Sequence, residues 1–235
     1  MSLLCVIPAR GGSKRIPRKN IRDFGGKPMI AWSIEAANAS GCFDQVIAST
    51  DDLEIADVAR QWAAEVPFMR PAELADDFAS TIQVVAHAVQ WYQDRDQELT
   101  AVCCLYATAP FVEPADIRQG LALLDQVSAD RFVFTATDYP SPIQRALHLD
   151  LDSGMAHMWN PEQFSKRSQD LENAYHDAGQ FYWGRPQAWL KSSNLFEGSR
   201  PLLLPRWRVH DIDTADDWKH AELMRQTFSQ EARQN

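Results

Sequence analysis

The stretch LLCVIPARGGSKRIPRKN, residues 3–20, joins a short apolar run to a loop rich in glycine and positive charge. The apolar residues from Leu3 to Pro8 predict a buried β-strand, and the two glycines that follow predict a loop at its carboxyl end. Extended to residue 27, the window holds one acid, Asp23, and seven cations: Arg10, Lys14, Arg15, Arg18, Lys19, Arg22 and Lys27. The whole chain has 23 basic and 32 acidic residues and a net charge of −9. Positive charge concentrated against that trend predicts a site for a polyanion.

Outward from this stretch, short apolar runs alternate with helical patterns, which predicts an α/β fold with a largely parallel sheet. Further strands are predicted over residues 45–50, 101–106, 132–137, 179–184 and 207–213. The alternation breaks over residues 139–177, which we interpret as an inserted arm in a single domain of residues 1–235. A closing helix is predicted to begin after Thr214 as N-cap and to bury Trp218, Ala221, Met224 and Phe228.

Ligands of such sheets bind beyond the carboxyl ends of the strands. Five polar segments fall there: the basic loop, residues 49–51, residues 106–108, Asp138 and residues 211–213. Because the carboxyl ends of parallel strands share one edge, we expect these segments to converge on one cleft.

The basic loop has the composition of a phosphate site. Gly11 and Gly12 are expected to take positive φ values and to turn consecutive N–H groups toward phosphate oxygens. Lys14 and Lys19 add point charges, and Arg10 adds a planar fork. The loop matches neither GxxxxGK[ST] nor GxGxxG. An ordinary solvated loop and a nucleic-acid site are the alternatives, and the second is weakened by the acidic remainder of the chain.

Asp211 and Asp213 lie two residues apart on the strand predicted over residues 207–213, so both carboxylates are expected on the same side. Mg²⁺ prefers hard oxygen ligands, and two carboxylates can bind it while phosphates and water complete its coordination shell. The alternative is a strand end whose acids cap the next helix. His176, beside Asp177 and ahead of a strand, is a further site candidate.

The spacing of the cysteines and the length of the apolar runs indicate the cellular compartment of the protein. Cys5, Cys42, Cys103 and Cys104 show no CxxC spacing, so we interpret them as reduced core residues rather than a zinc site or disulfides. No run approaches the roughly 18 apolar residues that span a bilayer, and the start of the chain does not resemble a signal peptide. A cytoplasmic location with no membrane partner is expected.

The motifs together resemble one family. IPARGGSKRIPRKN followed by GGKPMIAWSI, then QVIASTDD, RPAELADD and HDIDTADDW, resemble the signature of the nonulosonate cytidylyltransferases, the CMP-sialic acid synthetase family, in the family's order. The resemblance implies a three-layer, Rossmann-like nucleotidyltransferase fold with a mostly parallel twisted sheet. It also implies CTP and a nonulosonic acid as substrates, Mg²⁺ with Mn²⁺ as a substitute, and a homodimer formed through the arm at residues 139–177.

The resemblance assigns expected roles residue by residue. The CTP-binding positions are Arg10, Gly11, Gly12, Ser13, Lys14, Lys19, Asn20, Arg70 and Thr81. Catalysis is expected from Lys19, Asp211 and Asp213, the two acids also binding the metal, and no protein general base is predicted. Contacts with the acceptor sugar are expected from Tyr106, Thr108, His176, Asp177, Gln180 and Tyr182.

The sugar end departs from the sialic acid enzymes, which typically read QPTSPLR and RPNGAIY where this chain reads YATAPFV and HDAGQFY. YATAPF and YHDAGQFYWG instead resemble the members that act on pseudaminic acid. The expected reaction is transfer of CMP from CTP to the anomeric hydroxyl of pseudaminic acid, with release of pyrophosphate. N-acetylneuraminic, legionaminic and 3-deoxy-manno-octulosonic acids are alternative acceptors, and a non-catalytic nucleotide sensor is the alternative of another class.

Overall fold

The computed structural model describes residues 2–234, with side chains as far as residue 228. The strands are β1 (Ser2–Pro8), β2 (Asp23–Phe24), β3 (Lys27–Pro28), β4 (Gln45–Ser49), β5 (Leu99–Leu105), β6 (Phe132–Asp138), β7 (Leu147–Leu149), β8 (Ala156–Met158), β9 (Tyr175–Gly184) and β10 (Arg200–Leu203). The helices are α1 (Met29–Ser40), α2 (Leu53–Gln61), α3 (Thr81–Gln93), α4 (Pro114–Leu123), α5 (Pro186–Lys191) and α6 (Ala215–Gln234). In this described part of the chain, every helix is too short or too polar to cross a membrane.

Six strands form the central sheet in the order β10-β6-β9-β5-β1-β4. The pairs β1–β4, β1–β5 and β10–β6 are parallel, whereas β9 runs antiparallel to both of its neighbours. The predicted α/β fold with a mostly parallel sheet is confirmed. The other strands form two small antiparallel pairs, β2–β3 and β7–β8.

Two apolar clusters lie on opposite faces of this sheet. Alternate residues of β1 divide between them: Cys5 and Ile7 pack with residues of α1, α2 and α4, while Leu4 and Val6 pack with residues of α3 and α5. Strand β5 divides in the same way, which is why LTAVCCL is apolar almost throughout. The result is the three-layer arrangement expected from the sequence.

The strand predicted over residues 207–213 is wrong. Residues 206–208 form a 3₁₀ turn and an irregular loop follows, while the sixth strand of the sheet is β10, at residues 200–203. Arg208 is buried, with its guanidinium bound to Asp116 and Glu113, and this ion pair holds the turn against α4. Strand β10 tolerates Pro201 because it lies at the edge of the sheet, paired only with β6.

The inserted arm occupies residues 139–174, between β6 and β9; the last three residues of the predicted range 139–177 belong to β9. It consists of the β7–β8 hairpin, short 3₁₀ turns and irregular chain. Its surface carries exposed large apolar side chains at Ile143, Leu147, Leu149, Leu151, Met155, Trp159 and Phe164. The arm therefore leaves the sheet and returns to it between neighbouring strands.

Helix α6 begins as predicted. The Thr214 Oγ1 accepts a hydrogen bond from the Asp217 N–H at 3.2 Å, and Asp217 Oδ2 accepts one from the Thr214 N–H at 2.7 Å. Trp218 and Ala221 are buried in a third apolar cluster, against which Met224 and Phe228 pack.

Candidate active site

Two adjoining cavities open at the carboxyl ends of β1 and β5. The first, the basic cleft, has a volume of about 270 Å³ and is lined by Pro8, Arg10, Ser13, Lys14, Arg15, Ile16, Lys19, Asn20, Arg70, Ala79, Thr81, Val84, Tyr106, Ala107, Thr108 and Asp213. The second, the His176 cavity, has a volume of about 430 Å³ and is lined by Tyr106, Thr108, residues 176–179 and residues 209–211. Tyr106 and Thr108 belong to both, so the structure brings together most of the residues predicted for the site.

The cations of the basic loop divide into separate groups. Arg10 and Lys14 both bind the Asp77 carboxylate, through Nη1 at 2.7 Å and Nζ at 2.5 Å. Arg18, with a positive φ of 57°, turns away to bind Asp52 and Glu54 at the start of α2. Arg10 and Lys14 line the basic cleft, whereas Arg18 is not among its lining residues.

Lys19 and Arg15 form a second group around Asp213. The Lys19 ammonium donates to the Ile212 carbonyl at 2.7 Å and to Asp213 Oδ1 at 3.2 Å, while Arg15 Nη2 lies 2.7 Å from Asp213 Oδ2. Both oxygens of this carboxylate therefore face a cation. Arg22 and Lys27 lie over the rings of Trp218 and Trp32 and do not line the cleft.

The two glycines of the loop differ in role, and the predicted positive φ is wrong for both. A Cβ on Gly11 would lie 2.7 Å from Asp52 Oδ2, whereas a Cβ on Gly12 would have no atom within 4 Å. The Gly11 N–H donates to Asp51 Oδ1 at 3.0 Å. Gly11 is thus a close-packing position beside α2, and neither glycine is among the residues that line the cleft.

Buried polar side chains form the wall of the basic cleft nearest the sheet. The Arg70 guanidinium is buried and donates to Ser49 Oγ at 3.2 Å and to the Leu74 carbonyl at 3.3 Å. Its burial lowers the pKa of Arg70 to about 10. Asn20, also buried, donates from Nδ2 to the Arg10 carbonyl at 3.0 Å and so holds the two ends of the loop together.

A tyrosine separates the two cavities. The Tyr106 hydroxyl lies 2.7 Å from Thr81 Oγ1, and the ring packs at a tilt against Tyr182, with centroids 5.4 Å apart. Burial raises the pKa of Tyr106 to about 12, so the phenol is protonated at neutral pH and able to donate a hydrogen bond. This side chain is placed to touch ligands on both sides.

The acceptor residues predicted from the sequence lie in two layers. His176, Asp177 and Thr108 line the His176 cavity, whereas Gln180 and Tyr182 are buried beneath it. The Tyr182 hydroxyl donates a short hydrogen bond to Asp177 Oδ2, and the Gly179 N–H donates to Oδ1 at 3.0 Å. Gln180 Nε2 donates to the Arg208 carbonyl at 2.7 Å, which ties β9 to the loop that carries residues 209–213.

Asp211 and Asp213 lie on that loop rather than on a strand, so the predicted common face is wrong. Ile212 between them is buried in the third apolar cluster; Asp211 lines the His176 cavity and Asp213 the basic cleft. Asp211 stays accessible, yet partial loss of hydration and the nearby charge of Asp213 raise its pKa. The two carboxylates are therefore close enough to repel each other across the junction of the cavities.

Sequence reasoning missed several residues that hold these side chains in place. Asp217 Oδ2 accepts from the Asp213 N–H at 3.1 Å and so fixes the loop through the cap of α6. Asp52 caps α2 and anchors Arg18, and Asp77 binds Arg10 and Lys14. The spacing of Thr214 and Asp217 is a capping-box signal, and Asp52 directly precedes a helical pattern; nothing local marks Asp77.

Known proteins resemble the chain over nearly its whole length. The chain is 47% identical over 225 residues to the pseudaminic acid cytidylyltransferase of Campylobacter jejuni subsp. jejuni, covering 95% of this chain and 96% of that protein. It is 35% identical over 240 residues to the CMP-N,N'-diacetyllegionaminic acid synthase of Legionella pneumophila subsp. pneumophila, covering 99% of each. The solved structure of CMP:2-keto-3-deoxy-manno-octonic acid synthetase with CTP shares the fold, with a TM-score of 0.69 at 17% identity over 97% of this chain and 100% of that one. A family model described as Cytidylyltransferase matches residues 4–177, and the chain belongs to that family, as the motifs of its sequence indicated.

Proposed function

We propose that the chain transfers CMP from CTP to the anomeric hydroxyl of pseudaminic acid and releases pyrophosphate. The observation that carries this proposal is the junction of the two cavities at Tyr106 and Thr108, with a carboxylate at each side of it. A cation-lined cleft suits a triphosphate, and a neighbouring cavity lined by hydroxyl, imidazole, carboxylate and apolar groups suits a sugar. The identity of 47% to an enzyme named for this reaction supports the same choice.

The basic cleft supplies what a leaving pyrophosphate requires. Arg10, Lys14 and Lys19 would neutralise the β- and γ-phosphates, while Arg70 and Thr81 lie where the nucleoside would contact the wall of the cleft. The acceptor oxygen would enter from the His176 cavity and attack the α-phosphorus in line with the leaving group. A bond forms between the sugar oxygen and the α-phosphorus as the bond from that phosphorus to the bridging β-phosphate oxygen breaks, and the proton of the anomeric hydroxyl passes to water or to the departing pyrophosphate.

The His176 cavity supports a diacetamido acceptor. The Asp177 carboxylate, already held by Tyr182 and Gly179, keeps lone pairs that can accept from an acetamido N–H. Thr108 and His176 add hydroxyl and imidazole groups, and Ala178 and Val209 add apolar wall for a terminal methyl. This lining has fewer amide and guanidinium donors than a site for a more hydroxylated sugar requires.

Asp211 and Asp213 would hold Mg²⁺, with Mn²⁺ as a substitute. In the residues that the structure describes, three or more metal-ligating side chains do not come together, so phosphate oxygens and water would complete the shell. The two acids fit this role because partial burial, and then the nearby charge of Asp213, raise the pKa of Asp211, and a divalent cation would offset both effects. Such an ion, when bound, supplies charge neutralisation and Lewis acidity at phosphate.

A panel of acceptors tests the proposal. Pyrophosphate release would be followed with CTP and, in turn, pseudaminic, N-acetylneuraminic, N,N'-diacetyllegionaminic and 3-deoxy-manno-octulosonic acids. We expect kcat/KM for pseudaminic acid to exceed that for N-acetylneuraminic acid by about 10²-fold, because stranded hydroxyls each cost roughly 1–3 kcal/mol. A higher value for another acceptor would refute the choice of sugar. No turnover with any of them, alongside CTP binding, would favour a nucleotide sensor.

We further propose a homodimer formed through the arm. Eight large hydrophobic side chains are exposed on residues 139–174, Tyr139 and the seven named above, an unusual density for a surface left in water. Light scattering on Leu149→Asp and Leu151→Asp variants should show monomers, with Leu53→Asp on α2, whose exposure lies between those of the two arm residues, as the control. Dimers in all variants would argue against this surface. Nucleic acid and membranes are not proposed as partners, and the cytoplasmic location stays a prediction, in keeping with four free cysteines.

A further inference from the structure

One acidic side chain, that of Asp77, forms ion pairs with two cations at the mouth of the basic cleft. Asp77 Oδ1 lies 2.7 Å from Arg10 Nη1, and Asp77 Oδ2 lies 2.5 Å from Lys14 Nζ. Arg10 Nη1 also donates to the Asp76 carbonyl at 2.8 Å. The two oxygens of a single carboxylate thus take the positions on Arg10 and Lys14 that two phosphate oxygens would take.

The turn that carries Asp77 is built to present it. Asp76 Oδ1 accepts hydrogen bonds from the N–H groups of Phe78 at 2.9 Å and Ala79 at 2.8 Å, which closes a tight turn around Asp77. The turn is held at its far end by α3, whose cap is Ser80, and Ala79 lines the cleft. Asp77 therefore reaches the cations from a short, hydrogen-bonded loop.

The ion pairs themselves are able to exchange partners. The side chains of Arg10, Asp77 and Lys14 are 37%, 42% and 80% exposed, so water and incoming anions reach all three. Hydrogen bonds from Lys14 and then Arg10 lower the pKa of Asp77, and its carboxylate stays charged at any pH at which the enzyme would work. Exposed pairs of this kind are weak and are screened by salt.

We propose that Asp77 competes with the β- and γ-phosphates of CTP for Arg10 and Lys14, and that it forms its ion pairs with these cations again as pyrophosphate leaves. The inference rests on the proposed function, in which pyrophosphate is the leaving group. Asp77 lowers the affinity of the cleft for any anion that uses both cations. It leaves the affinity for CMP nearly unchanged, because CMP lacks the β- and γ-phosphates. The residue thus favours release of pyrophosphate and limits inhibition by that product.

Calorimetric titration of pyrophosphate, CTP and CMP into the wild-type chain and the Asp77→Asn variant tests this. Asparagine keeps the shape of the side chain and removes its charge. We expect pyrophosphate and CTP to bind roughly three- to tenfold more tightly to the variant, and CMP to change by less than about twofold. The gain should shrink at about 0.5 M salt, where the Debye length is only a few ångströms.

The matched control is Asp57→Asn, which removes the same charge from an exposed aspartate that pairs with Arg60 on α2. It should leave all three affinities unchanged. Unaltered or weaker pyrophosphate binding in a folded Asp77→Asn variant would overturn the inference, since a carboxylate that merely anchors the loop would weaken binding when lost. These titrations need no acceptor sugar, so their outcome is separate from that of the acceptor panel.

Discussion

Replacing Gly11 with alanine should destabilise the fold through a contact on the far side of the loop from the cleft. The new Cβ would lie 2.7 Å from Asp52 Oδ2 and 3.0 Å from Asp52 Cβ, so the aspartate must move. Asp52 caps α2 by accepting from the Glu54 N–H at 2.9 Å and the Ile55 N–H at 3.0 Å, and it also binds Arg18 at 2.5 Å.

The size of the effect follows from what Asp52 would lose. Loss of an N-cap costs about 0.5–2 kcal/mol, and the partly exposed pair with Arg18 adds less than about 1 kcal/mol. We expect Gly11→Ala to lower the free energy of unfolding by about 1–2 kcal/mol in urea titrations. Gly12→Ala is the matched control: its Cβ meets no atom within 4 Å, so the change should stay within about 0.5 kcal/mol.

A double-variant cycle identifies the cause. An Asp52→Ala background removes the carboxylate oxygen that the new Cβ would meet at 2.7 Å and leaves only the 3.0 Å contact with the Cβ of residue 52, so Gly11→Ala should then cost clearly less. Equal effects at the two glycines, or the same cost of Gly11→Ala in both backgrounds, would refute the contact with Asp52 as the reason.

The other predictions concern charge. Asp211→Asn and Asp213→Asn should each lower kcat by on the order of 10²–10³ with unchanged circular dichroism, and near-normal rates at low Mg²⁺ would remove the pair from the mechanism. Lys19→Ala should weaken CTP more than CMP, and more so at low ionic strength; equal losses in titrations of the two would contradict a role at the leaving group. The bond from Arg18 lowers the pKa of Asp52, so its contribution to stability is present above about pH 4 and is lost as pH falls through the lower, folded value. Asp52→Asn should therefore lose less stability in acid than the wild type, and identical acid slopes in urea titrations would speak against this pairing.

The core of the fold was predictable because burial on both faces leaves a strong pattern. AVCCL within β5 is apolar throughout, and the strand predicted over residues 101–106 is confirmed as far as Leu105. WRVHDID led to the wrong prediction of a strand over residues 207–213 because its alternation resembles that of a half-buried strand. In the structure, ion pairs account for the burial of Arg208, and the third apolar cluster accounts for that of Ile212. Strand β10 escaped notice because it is four residues long and contains a proline.

The site was predictable in composition but not in arrangement. The positions of the cations are visible in the sequence. That Arg18 and Lys19 belong to separate ion-pair groups is not, because their partners, Asp52 and Asp213, come from distant parts of the chain. Asp77 lies more than 60 residues along the chain from Arg10 and Lys14, the cations that it binds. Such pairings depend on the path of the chain between strands, which local patterns do not contain.

Strand β9 enters the sheet directly from the arm and brings residues 176–179 into the His176 cavity before it pairs with β5. The arm and one wall of that cavity are thus a single uninterrupted segment, residues 139–184, whereas the basic loop lies far upstream in the chain. This segment carries four of the nine residues that line the cavity; the other five are Tyr106, Thr108 and residues 209–211. Exchange of the segment with that of a relative would therefore transplant one wall of the cavity and the arm together, and would leave the basic loop as it stands.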